Sequence, residues 1–313
     1  MRYLPAVIGI ALFCSGSTAS TGSQTGATVP ATPVVVELFT SEGCSSCPPA
    51  DALLQRLAAA GQDGVRVIAL GEHVDYWDRL GWKDRFSSGE LTARQRTYAS
   101  RFNIDSIYTP QMVVDGRTEF VGSDASAARS AITKAAAARH GTVTLALEGG
   151  PERPAPQPAG VVRPSEMARP FTDVARPFVD VARPFTGVAR PLTVARPFAD
   201  VARPFQGRVT VTVTNLPPVS RGDHADILLG ITEDHLQSDV KAGENRGRVL
   251  AHAPVVRKLT TIGEVVGESG SAATELTIAP DWRREHLTIV AFVQERRSRT
   301  VLAAVSLPLA SRP

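Results

Sequence analysis

Residues 34–60 leave a chain few ways to fold. Val34-Val35-Val36-Glu37-Leu38-Phe39 is short and rich in β-branched residues, the pattern of a buried strand. Pro48 and Pro49 then open a run to Ala60, where Leu53, Leu54 and Leu57 share one helical face. Between the two lies Cys44-Ser45-Ser46-Cys47. This spacing brings both sulfurs to the start of a helix. Unpaired backbone N–H groups and the positive end of the helix dipole favour a thiolate there.

The next segments continue the alternation. Val65 to Leu70 is a second apolar strand, followed by His73-Val74-Asp75-Tyr76-Trp77-Asp78 and an aromatic loop with Trp82 and Phe86. Leu91 to Phe102 reads as a helix. Met112 to Val114 and Thr118 to Val121 read as a hairpin turning at Asp115-Gly116. Ser123 or Asp124 can cap an Ala-rich helix ending near His140 and Gly141. The order is β-α-β-α-β-β-α, that of a thioredoxin fold. The cysteine pair opens the first helix and Pro110 immediately precedes the third strand. An X-Pro bond takes the cis form at modest cost, and Thr109–Pro110 is expected to be cis. Thr109, Pro110, Tyr76 and Trp77 would then line a groove for an extended substrate, with Asp75 beside them.

Three segments carry a resemblance: VVVELFTSEGCSSCPPADALL, HVDYWDRLGWKDRFSS and YTPQMVVDG. In order and spacing they resemble the secreted thioredoxin-like family catalogued as domain of unknown function 1223. The likeness covers most of the chain outside a repeat described below. It implies a thioredoxin-like fold in an exported bacterial protein. It implies no particular activity.

The second half has a different texture. Thr142 to Glu148, Arg208 to Asn215, Ala225 to Glu233, Arg248 to Arg257, Ala273 to Ala279, His286 to Gln294 and Thr300 to Leu307 all read as strands. Many alternate, which suggests a mostly antiparallel, sandwich-like β-domain. An insertion at 151–207 interrupts it. This begins Pro-rich, then repeats Ala-Arg-Pro-Phe with Pro at 170, 177, 184, 191, 197 and 204. One proline per unit forbids a continuous helix, so an extended excursion from a hairpin is expected.

The domain plan is therefore a signal peptide at 1–19, a flexible leader at 20–32, a thioredoxin-like domain at 33–141, and the β-rich domain at 142–313. Leu4 to Cys14 forms the short apolar core of the signal, and Ser17-Thr18-Ala19 offers a cleavage site. Export to the periplasm or the medium follows. No stable membrane span is expected, because that apolar run is too short. Removal of the signal takes Cys14 with it. Cys44 and Cys47 then remain as an even pair in an exported protein, which points to a disulfide at some stage.

The net charge is +3, and the six Arg and three Asp between Met167 and Gly207 account for all of it. The remainder is near neutral, so a nucleic-acid partner is not expected. Three chemistries fit the cysteine pair. In thiol–disulfide exchange, Cys44 is the exposed nucleophile and Cys47 the resolving thiol. The redox group is the disulfide itself, with no dissociable cofactor. The partners are a protein or small thiol substrate and an unidentified redox partner. Alternatively, Cys44, Cys47 and His73 could hold Cu(I), which soft thiolates select. Thirdly, the chain is a binding protein with an idle structural disulfide. The other histidines show no metal-ligand spacing, and Glu42 would oppose a thiolate if close.

Overall fold

A computed structural model describes residues 31–61, 64–148 and 205–309. The first half contains β1 (Thr32–Thr40), α1 (Pro48–Ala60), β2 (Val65–His73), α2 (Gly89–Phe102), β3 (Gln111–Val114), β4 (Thr118–Val121) and α3 (Ala125–Ala136). Strand β1 is central, parallel to β2 on one side and antiparallel to β3 on the other. Its alternating side chains divide between two faces. Val34, Val36 and Leu38 pack with Leu53, Leu54 and Leu57 of α1 and with Ala128, Ala131 and Ile132 of α3. Val35 and Phe39 point the other way, towards Leu91 and Tyr98 of α2. Local chemistry sets the helix starts. Ser88 accepts from the Glu90 amide at the start of α2, and Asp124 accepts from the Ser126 and Ala127 amides at the start of α3. Helix α1 starts on Pro48 and Pro49, which have no N–H to leave unpaired.

The β3–β4 turn shows why glycine follows Asp115. Both residues have positive φ, 47° and 63°. A Cβ on Gly116 would also lie 1.8 Å from the Arg299 carbonyl oxygen, so no side chain fits.

The second half contains β5 (Thr142–Glu148), β6 (Phe205–Thr214), β7 (Ala225–Glu233), β8 (Gln237–Asp239), β9 (Val249–Ala251), β10 (Val255–Val265), β11 (Gly270–Ile278), β12 (Leu287–Glu295) and β13 (Val301–Pro308). These strands do not form a body apart. Four of them extend the sheet of the first half into eight strands, ordered β13-β12-β7-β10-β2-β1-β3-β4. The seam is a parallel bridge, Val255 to Gly71, with the Gly71 amide donating to the Pro254 carbonyl at 2.7 Å. Core packing crosses it too: Val35, Ile68 and Leu70 share a cluster with Leu228, Val256, Val290 and Phe292. Where two parts were expected, one sheet runs through both halves, and one apolar cluster is shared between them.

The sandwich element of the expectation survives locally. Strands β11, β6 and β5 form a three-stranded sheet. Its Val209, Val211, Val213, Leu276 and Ile278 face Ile227, Leu229, Ile231, Ile289 and Ala291 of the large sheet. Strands β5 and β6 pair antiparallel, Glu148 opposite Arg208, so the chain leaves and re-enters one hairpin there. The last repeat unit supplies Phe205 to Gly207, the first residues of β6. The signal, the leader and the rest of the insertion lie outside the described residues. The strand read from Arg248 to Arg257 is two strands. Proline at 254 cannot donate to a ladder, and the His252 amide turns instead to the Leu236 carbonyl.

Candidate functional site

Cys44 and Cys47 form a disulfide at the N-terminus of α1, with Cys47 as its N-cap residue. Sequence reasoning placed Cys44 on the surface. It is fully buried, and Cys47 is 1% exposed, while Ser45 and Ser46 between them face solvent. The cover comes from two sides. Trp77 lies against the loop, its Cβ 3.1 Å from where a Cβ on Gly43 would stand. On the other side is the segment joining β8 to β9. Buried Asn245 donates through Nδ2 to the carbonyls of Glu42 and Cys44, both at 2.9 Å. The Ser45 amide donates to Glu244 Oε2 at 3.0 Å, and the amides of Cys44 and Cys47 donate to the Ser41 and Cys44 carbonyls. These amides are therefore satisfied by oxygen acceptors.

Of the residues expected to line a groove, Tyr76, Trp77 and Thr109 lie together. Trp77 Nε1 donates to Thr109 Oγ1 at 2.8 Å, and Tyr76 packs along Trp77 with ring centroids 6.5 Å apart. The Thr109–Pro110 bond is cis. A Cβ on Gly122 would be 3.1 Å from Pro110 Cβ and 3.2 Å from Ala50 Cβ, so Gly122 lies close to both Pro110 and the first turn of α1. Asp75 is held instead by α2, through Thr92 Oγ1 at 2.7 Å.

Behind the disulfide lies a buried polar cluster that sequence reasoning largely missed. His73 closes β2, with Nδ1 2.6 Å from Asp84 Oδ2. The same carboxylate accepts from the amides of Glu42 and Phe86, both at 2.9 Å. Burial disfavours the charged imidazole, but the adjacent Asp84 carboxylate outweighs it and raises the His73 pKa. Burial also works against ionised Asp84, yet His73 and the two amides hold its pKa below the usual range. Glu42 does not approach a thiol as a free charge. Its Oε2 accepts from Trp82 Nε1 at 2.6 Å and its Oε1 is 3.4 Å from His252 Nε2. Burial would raise its pKa, but the hydrogen bonds from His252, Ser238 and Trp82 prevail and lower it. Burial, which disfavours the charged form, raises the Asp51 pKa.

Among the described residues, Asp51, His73 and His252 form a group whose ligand atoms all lie within 4.8 Å of one another. Neither cysteine belongs to it, so His73 meets a different set of partners from the one envisaged for Cu(I). A signal for part of this was present. Asp51 is a carboxylate on the apolar face of α1, and Asp84 sits within the aromatic loop. His252 and Asn245 had none, because only the tertiary fold brings them to residues 40–50.

Fold and site together define a mixed α/β protein with a mostly β body and a covered disulfide at its first helix. The family described as "Protein of unknown function (DUF1223)" matches residues 35–156 and 189–294, and this chain belongs to it. Among solved structures, the chain is similar to protein AGR_C_4864 of Agrobacterium tumefaciens, with 22% identity and a TM-score of 0.56. That match covers 90% of this chain and 97% of the other. It is also similar to HBP35 of Porphyromonas gingivalis, with 12% identity and a TM-score of 0.52, covering 90% and 76%. At these identities the likeness is one of fold. No curated protein matches the chain.

Proposed function

We propose that the chain is an exported thiol–disulfide exchange protein acting through Cys44 and Cys47 on a thioredoxin-like domain. The carrying observation is the Cys44–Cys47 disulfide at the start of α1, with Trp77, hydrogen-bonded to Thr109, against the cysteine loop. A substrate thiolate attacks Cys44 Sγ, and a mixed disulfide forms. The Cys44–Cys47 bond breaks, its electron pair passing to Cys47 Sγ, which takes up a proton. A second substrate thiol then attacks the mixed disulfide, leaving an oxidised substrate and a Cys44/Cys47 dithiol. The reverse sequence reduces a substrate disulfide. The net direction follows the reduction potential of the pair against that of its partner.

Equilibration of the signal-free protein against glutathione buffers, with thiol trapping, tests this. A potential between about −270 and −120 mV belongs to exchange catalysts. In that case Cys44→Ser abolishes exchange, and Cys47→Ser accumulates mixed disulfides. Normal dithiol turnover by Cys44→Ser would sink the proposal. The burial of both sulfurs favours one second reading, a structural disulfide in a binding protein. A potential below about −300 mV would select that reading.

A further inference from the structure

We propose that Asp51, His73 and His252 form a buried binding site for a divalent metal ion of the zinc type. All three are buried, at 5%, 1% and 3% exposure, and their ligand atoms converge within 4.8 Å. They come from three places remote in sequence: the first turn of α1, the last residue of β2 and the residue after β9.

Two unpartnered atoms point to a cation. His73 uses Nδ1 on Asp84, while its buried Nε2 has no hydrogen-bond partner. Asp51 uses Oδ2 on Thr40 Oγ1 at 2.8 Å, and its buried Oδ1 also has none. A lone pair on imidazole and one on carboxylate, both withdrawn from water, call for an electrophile that accepts both. The arrangement behind them is that of a ligating histidine. Such residues give their second ring N–H to a carboxylate, which fixes the tautomer and aims the other nitrogen at the metal. Asp84 occupies that position, and is itself fixed by the amides of Glu42 and Phe86. His252 is oriented in the same manner, with Nε2 3.0 Å from Ser238 Oγ and 3.4 Å from Glu42 Oε1.

The donor set selects the ion. Two imidazoles and a carboxylate suit zinc. Calcium and magnesium prefer all-oxygen shells, and Cu(I) prefers sulfur. Ligands about 2.1 Å from a tetrahedral zinc stand about 3.4 Å apart, so small side-chain adjustments close the group. The ion would fasten the segment that covers the disulfide to α1 and β2.

The test is a zinc titration of the full-length, chelator-stripped protein by calorimetry, with metal content by mass spectrometry. One zinc per chain is expected. His73→Ala and His252→Ala should each lose it. Asp84→Asn, which leaves every ligand in place, should weaken it by about 10- to 100-fold. The double variant Cys44→Ser/Cys47→Ser should keep it, which separates this site from the exchange chemistry. Cobalt in place of zinc should give a visible d–d band with no thiolate charge-transfer band. Absence of zinc and cobalt binding by the unaltered protein would overturn the proposal, whatever the folding of the variants. Full retention in both histidine variants, or a cobalt spectrum with thiolate character, would overturn it equally.

Discussion

At the scale of single residues, position 115 carries two constraints. Asp115 is fully buried in the β3–β4 turn, and its Oδ1 accepts from the Val35 amide at 2.8 Å. Burial dominates and raises its pKa from the usual 3.8 to about 7, against the Val35 hydrogen bond and the charge of Arg117. A carboxyl with a raised folded pKa holds its proton longer when folded than when unfolded. Its stabilising effect is fully present below about pH 4 and is lost as pH rises through about 7. Three units correspond to about 4 kcal/mol. Asp115→Asn keeps the acceptor for Val35 and tolerates positive φ. The urea midpoint of this variant should fall less than that of the parent between pH 5 and 8. Parallel profiles would disprove the assignment. Asn245 acts differently. It donates to the carbonyls of Glu42 and Cys44, and the Glu42 carbonyl, left unpaired without it, costs about 1–3 kcal/mol. Asn245→Ala should therefore loosen the cover and speed reduction of the disulfide by dithiothreitol about tenfold or more. An unchanged rate would show that Asn245 does not limit access.

At the scale of elements, α2 is held to the sheet by charge as well as by apolar contact. Arg94 donates to Glu37 of β1 at 2.6 Å and to Gln294 of β12 at 3.0 Å, and lies 3.4 Å from Glu72 of β2. Burial, then repulsion from Glu37, raises the Glu72 pKa well above the usual range despite Arg94. Tyr98, one turn further on, also hydrogen-bonds Glu37. Removal of the cation that donates to buried Glu37 leaves that carboxylate's charge uncompensated, which costs about 3–5 kcal/mol. Arg94→Met, chosen to keep the apolar volume, should lower stability by that amount in chemical denaturation. A loss below about 1 kcal/mol would mean that the carboxylate is satisfied without it. The alternation of β1 was readable from its sequence, but Glu37 gave no hint that its partner lay on α2.

At the scale of the whole molecule, the large sheet is the unit that matters. Strand β10 pairs with β2 and carries β7, β12 and β13 onto the sheet of the first half. The segment between β8 and β9 thereby arrives over the cysteine loop. The order of elements 32–136 was legible because strand and helix periodicities differ and caps mark the boundaries. The break at Pro254 went unread, since Arg248 to Arg257 alternates much as one strand does. Among the described residues no helix is long and apolar enough to cross a membrane.

The sequence alone determined most of the strands and helices, and that two cysteines meet at the start of α1. These follow from periodicity, turn chemistry and short spacing, all local. Only the tertiary structure decided that the two halves share one sheet, that the disulfide is covered, and that His252 joins His73 and Asp51. Strand pairing and buried polar contacts between residues some 200 positions apart depend on the register of the assembled sheet, which no local pattern encodes.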